Sequence, residues 1–94
     1  MEVIYKKQFQ KELIRLPSYV QLAVKETIEV LEKSENMKSS GLDFKYLNGQ
    51  KKDENYIRIR IGSYRIGAEL IKPNIILITC GSRGDVYKSF PSNI

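Results

Sequence analysis

The sequence predicts an α+β fold, with an N-terminal strand and a helical hairpin packed on a twisted antiparallel sheet. Three observations carry that prediction. Apolar residues recur at one-turn spacing through the first third of the chain, alternation takes over from Tyr56, and short turn signals separate the alternating runs. At 94 residues the chain has room for a single domain, residues 1–94.

Val3 to Tyr5 is a short candidate strand. Phe9, Leu13 and Leu16 then predict a helix over 7–16, which Pro17 stops. Ser18 with Gln21 three residues later reads as a capping box opening a second helix over 18–34. Val20, Val24, Ile28 and Leu31 form its apolar stripe, and Lys25, Glu26, Glu29, Glu32 and Lys33 its solvated side. Helices joined so tightly should run antiparallel and need a surface to cover. Between 35 and 55 the pattern weakens. Ser39, Ser40 and Gly41 mark a break, and Leu42, Phe44 and Leu47 are read as pinning a loop to the core, with a strand at 43–47 as the alternative. Asn48 and Gly49 turn the chain, and 50–55 reads as a mobile polar stretch. Three strands follow: 56–61, 64–70 and 75–80. Gly62 and Ser63 make the first turn, with glycine suited to the leading position of type II′. Lys72, Pro73 and Asn74 make the second, and Ile75 to Ile78 is apolar on both faces, as a central strand requires. Tyr87, Phe90 and Pro91 belong to a short tail, read as one strand or turn.

Composition removes several functions. No apolar run approaches the roughly 20 residues of a membrane span, and no signal-peptide core follows Lys6 and Lys7. The expected location is the cytoplasm, with no membrane partner. Histidine is absent and Cys80 is the sole cysteine, so the chain cannot form an internal disulfide, a Cys/His zinc site or a Ser-His-Asp arrangement. Cys80 reads as a buried, inert thiol. Asp53, Glu54, Glu69 and Asp85 lack the spacing of a two-metal site, so neither metal nor cofactor is expected. The net charge is +5, all of it in the second half: residues 1–44 carry seven basic and seven acidic side chains, residues 45–94 nine and four. That imbalance suits a polyanion, and equally an acidic protein.

Alternation places the charge. Ile57, Ile59 and Ile61 share one face of the first strand of this sheet, and Tyr56, Arg58 and Arg60 the other. A two-residue turn then pairs Arg60 with Arg65, Arg58 with Gly67 and Tyr56 with Glu69. Like charges directly across a strand pair are destabilising, so stability alone does not ask for Arg60 beside Arg65. Gly67 removes a side chain from a strand interior and leaves a hollow where a ligand can approach. Arginine forks around a hollow suit phosphate oxygens. The plainer reading is that acids of the 50–55 loop cap the arginines, or that they extend into water. Arg83, Asp85 and Tyr87 reach the same face if the third strand lies beside 64–70. Tyr87 can stack on a base, move a proton, or simply pack. Asp85 can hold Arg83 or cap a turn. Glu69 can serve as a base, though an ion pair with Arg58 or Arg65 is the simpler reading. RNA carries its own nucleophile, the 2′-hydroxyl, so a protein that aligns the backbone and neutralises the transition state can cut it without metal.

From Tyr56 to Arg65, from Gly81 to Tyr87, and in the Leu47–Gly49 element, the chain resembles the RelE/ParE superfamily of toxins from bacterial type II toxin–antitoxin systems. The resemblance spans nearly the whole chain and implies a β-α-α-β-β-β order with a short tail. In the RelE branch it implies a ribosome-dependent mRNA endoribonuclease, an mRNA interferase that blocks translation. Attack by the 2′-hydroxyl leaves a cyclic phosphate. Arg58 and Arg60 then match residues that bind or activate the scissile nucleotide, Arg65 and Arg83 those that stabilise the phosphate, and Tyr87 the one that orients the substrate. Lys45, Lys51, Lys52 and Glu69 are the flanking substrate-binding candidates. Many relatives carry histidine before the arginine matching Arg83, and this chain has Ser82, which cannot replace imidazole as a base near neutral pH. The resemblance also implies a cognate antitoxin that wraps the toxin and covers the basic face or displaces the tail. The alternatives are a ParE-like inhibitor of DNA gyrase and an inactive, binding-only relative.

Overall fold

A computed structural model describes residues 1–90. The chain runs β1 (Glu2–Tyr5), α1 (Lys7–Leu13), α2 (Ser18–Lys33), α3 (Met37–Ser40), β2 (Phe44–Tyr46), β3 (Tyr56–Ile61), β4 (Tyr64–Ile71), β5 (Asn74–Ser82) and α4 (Arg83–Ser89). The five strands form one sheet in the order β1-β5-β4-β3-β2. All neighbours are antiparallel except β1 and β5, which are parallel.

The apolar stripes meet as alternation requires. Phe9 from α1 and Val24 and Leu31 from α2 bury against Ile57, Ile59, Ile66 and Leu77 on one face of the sheet. At roughly 25 cal/mol per Å² of apolar surface removed from water, this burial is the main force fixing the layers. Cys80 lies in the same core, and its thiol donates toward the Phe9 carbonyl at 3.7 Å. Opposite Gly67 and Ala68 the register of β5 slips from Thr79 to Leu77, which leaves Ile78 as an extra residue. Glu12 anchors that bulge, accepting from the Thr79 hydroxyl at 2.5 Å and the Cys80 N–H at 3.4 Å.

Five sequence expectations change. The expected Ser18–Gln21 capping box is replaced: Pro17 is the N-cap residue and Ser18 already lies in the helix. Proline fixes φ, which is −55° at this cap position, and Gln21 instead donates from Nε2 to the Leu16 and Ile14 carbonyls at 2.9 and 3.3 Å, tying α2 to the end of α1. Residues 44–46 form an edge strand paired with β3, so the strand alternative holds over the loop. The 50–55 segment is clamped by Gln50, which donates to the Leu47 and Tyr56 carbonyls at 2.8 Å each and accepts from the Tyr56 N–H at 2.6 Å. The sheet is not wholly antiparallel, because β1 joins β5 in parallel. The tail is a helix rather than a strand or turn. Val86 and Phe90 bury it against Tyr56 and Ile78 on the second face, while Pro91 lies outside the described residues.

Candidate functional site: an arginine hollow

The β3–β4 hairpin has the register that alternation demands: Arg60 faces Arg65, Arg58 faces Gly67, and Tyr56 faces Glu69. Gly62 makes this possible. It takes φ +58°, while no non-glycine described residue has positive φ, which matches type II′ geometry. Ser82, at the end of β5, lies opposite Tyr64 and caps α4, accepting from the Asp85 N–H at 3.3 Å. The cap starts a helix whose first residue is Arg83, and Tyr87 follows one turn later.

Arg58, Arg60, Arg65, Arg83 and Tyr87 therefore line one hollow of about 250 Å³. Arg65 is only 8% exposed. Its Nη1 donates to the Gly62 carbonyl at 2.9 Å and the Tyr64 carbonyl at 3.0 Å. Arg60 leans on the same Gly62 carbonyl through Nε at 3.5 Å. Nε of Arg65 and Nη1 of Arg58 are buried with no partner. A buried donor on a charged group left unpaired costs about 1–3 kcal/mol or more. No acid compensates: among the described residues the one ion pair is Lys88 with Asp85, at 3.6 Å and exposed. The cluster is thus both unneutralised and undersatisfied. The anion is the natural complement: its oxygens accept from several guanidinium forks at once.

The remaining candidates fall at different distances from this centre. Lys45 lies directly across from Arg58 on β2 and extends the positive face. Lys51 and Lys52 are exposed on the loop before β3 and do not line the hollow. Glu69 sits at the far end of the hairpin, in a separate cleft with Asp53 and Asn55, and forms no ion pair with Arg58 or Arg65. Together with burial, the larger cause, and Glu54, it pushes the Tyr56 phenol above its ordinary range. Asp85 neither holds Arg83 nor closes a strand turn; it pairs with Lys88 in the first turn of α4. Gly67 also has a different use. A Cβ there would lie 2.8 Å from the Phe90 ring, so the missing side chain makes room for the protein's own core, and the hollow lies beside it. The α4 helix was legible in two signals: the Ser82-x-x-Asp85 cap pattern and Val86 with Phe90 at one-turn spacing. No group of three or more metal-ligating side chains gathers among the described residues, and none of their helices is long and apolar enough to cross a membrane.

Fold and site together define a small α+β domain with an unneutralised arginine hollow on one end of a hairpin. Comparison with known proteins narrows the class. The family described as ParE toxin of type II toxin–antitoxin system, parDE, matches residues 3–87. Toxin RelE3 of Methanocaldococcus jannaschii is 35% identical over 91 residues, covering 97% of this chain and 100% of that protein. The RelB–RelE antitoxin–toxin complex from Methanococcus jannaschii contains a chain superposing with a TM-score of 0.77 at 33% identity, over 94% of this chain and 99% of that one. For the RelE–RelB complex from Pyrococcus horikoshii the TM-score is 0.70 at 26% identity, over 88% and 94%. The chain belongs to the RelE/ParE superfamily of toxin–antitoxin toxins, on its RelE-like branch.

Proposed function

We propose that this toxin is a metal-independent endoribonuclease that cuts mRNA at the ribosome, with the arginine hollow as its active site. The observation that carries the reading is the pair of buried, partnerless guanidinium nitrogens in a hollow without an acid. A phosphodiester supplies what they lack. In the reaction the substrate 2′-hydroxyl attacks phosphorus, the P–O5′ bond breaks, and a cyclic phosphate and a 5′-hydroxyl result. The proton lost by the 2′-oxygen and the one gained by the 5′-oxygen balance. Arg65, fixed by two carbonyls, and Arg83 stabilise the charge that builds on the phosphoryl oxygens. Arg58 and Arg60 hold the scissile nucleotide in line. Tyr87, 42% exposed at the rim, stacks on a base or hands a proton to the leaving oxygen. The Ser82 hydroxyl is engaged as a helix cap, so alignment and electrostatics carry most of the acceleration. Lys45, and farther out Lys51 and Lys52, bind neighbouring backbone, while Glu69 lines a separate cleft and pairs with none of the arginines.

The same unneutralised face suits an acidic segment of a partner. The RelB–RelE complexes among the related structures support a cognate antitoxin as that partner. Inducing the chain in growing cells without its antitoxin and mapping mRNA 5′ ends tests the proposal. New ends inside translated codons support it, and cleavage that persists with a chelator in a ribosome-programmed reaction supports metal independence. Intact mRNA with altered DNA supercoiling would replace it with the gyrase reading. Intact mRNA and DNA would leave a binding-only protein.

A further inference from the structure

The hairpin tip separates the arginine hollow from a second cleft, of about 360 Å³, on its other side. Tyr19, Val20, Ala23, Ile61, Gly62, Ser63 and Tyr64 line it. Tyr19 stands on the first turn of α2 and is 71% exposed, a large ring that the core does not use. Tyr64 is half-buried, and burial followed by the nearby Tyr19 hydroxyl raises its phenol above the usual range. Gly62 joins the two sites. Its carbonyl holds Arg65 and Arg60 on one side, while its own residue lines the tyrosine cleft on the other. A side chain at Gly62 would meet nothing within 4 Å, so the tip is open to close approach. Arg65 and Tyr64 are consecutive, their Cα atoms about 3.8 Å apart, and only the two turn residues must be rounded to pass from one face to the other.

We propose that this cleft is a stacking subsite for an unpaired base of the substrate strand, next to the nucleotide whose phosphate occupies the arginine hollow. The inference rests on the reading of that hollow as an RNA site. A polynucleotide gripped there must continue in both directions. On one side it meets Lys45, and on the other it rounds Gly62 and Ser63 onto two aromatic rings. Positive groove followed by aromatic platform is the general solution for single strands, because every base offers a π-face. Tyr19 has low rotamer entropy and a hydroxyl tip, so its ring stays exposed without disrupting the surface, beside the half-buried Tyr64.

The test uses the full chain and single-stranded RNA carrying a 2′-deoxy sugar at the cut position, so that it binds without being cleaved. Affinity is measured for a trinucleotide and for the same sequence extended by three nucleotides at the 5′ or the 3′ end. One extension is expected to tighten binding, and Tyr19→Ala to weaken that longer RNA about tenfold while leaving the trinucleotide unchanged. Tyr19→Phe, which keeps the ring, should bind like the wild type, and an abasic site in the extension should mimic Tyr19→Ala. Equal binding of both RNAs by wild type and Tyr19→Ala, equal weakening of both, or no binding of either would overturn the subsite. Trinucleotide binding that survives Arg65→Ala would instead overturn the underlying reading of the hollow, whatever Tyr19 does.

Discussion

Arg65→Ala separates what this side chain does for the fold from what it does for the site. Removing it deletes two hydrogen bonds from a charged donor, to the Gly62 and Tyr64 carbonyls. At about 1.5 kcal/mol each, the low end for charged donors, that loss is about 3 kcal/mol. Two costs vanish with it. Buried, partnerless Nε regains about 1–3 kcal/mol of desolvation, and the like-charge contact with Arg60 across the strand pair returns up to about 1 kcal/mol. The balance lies between a gain of about 1 kcal/mol and a loss of about 2 kcal/mol, or a Tm shift within about 16 °C for a domain of this size. The proposed active site loses a preorganised donor to the transition-state charge, an expected change of about 10²–10³ in rate, equivalent to about 3–4 kcal/mol. Thermal melting followed by circular dichroism measures the first quantity, and cleavage of ribosome-bound mRNA the second. Arg65→Lys sharpens the comparison: an ammonium cannot bridge two carbonyls and still present a fork to phosphate, so it should fold and remain slow. A well-folded Arg65→Ala protein that cuts at the wild-type rate would refute the assignment. A variant that unfolds outright would refute the energy balance.

Three further outcomes follow from the geometry. Gly67→Ala pushes a methyl group to 2.8 Å from the Phe90 ring; overpacking of this kind costs about 1–3 kcal/mol, so the melting temperature should fall and the edge-to-face contact of Phe90 with Tyr56 should be lost from aromatic NMR shifts. Ser82→Ala removes the cap of α4, costing about 1 kcal/mol, and should lower cleavage through misplacement of Arg83 and Tyr87, with faster amide exchange confined to the helix. Burial, then the Glu12 carboxylate, pushes the Cys80 thiol from about 9 up to about 12; it should resist alkylation at pH 8 in the native protein and react once denaturant is added. Because the folded-state value is the higher one, the stabilisation is complete below pH 9 and disappears as pH rises toward 12, so chemical denaturation across that window should show falling stability.

Two levels of organisation produced this site. The amino-acid sequence alone determined the hairpin, because period-two alternation and a turn glycine couple residues that are near neighbours along the chain: the pairs from Ile61–Tyr64 out to Tyr56–Glu69 follow from Gly62 and the isoleucine pattern. It also determined the helical stripes and the grouping of Arg58, Arg60 and Arg65 on the face away from them. Tertiary structure decided the rest, through contacts between distant segments. The parallel pairing of β1 with β5, Glu12 holding the β5 bulge from 67 residues away, and the ring of Phe90 over Gly67 leave no periodic trace. Nor does local sequence say whether acids elsewhere in the chain will reach a cluster of arginines. In the folded protein Glu69 stays at the far end of the hairpin and Asp85 turns to Lys88, so neither acid neutralises the guanidinium charge. Periodicity sets which way a side chain points, whereas its neutralisation depends on which remote groups packing brings within reach.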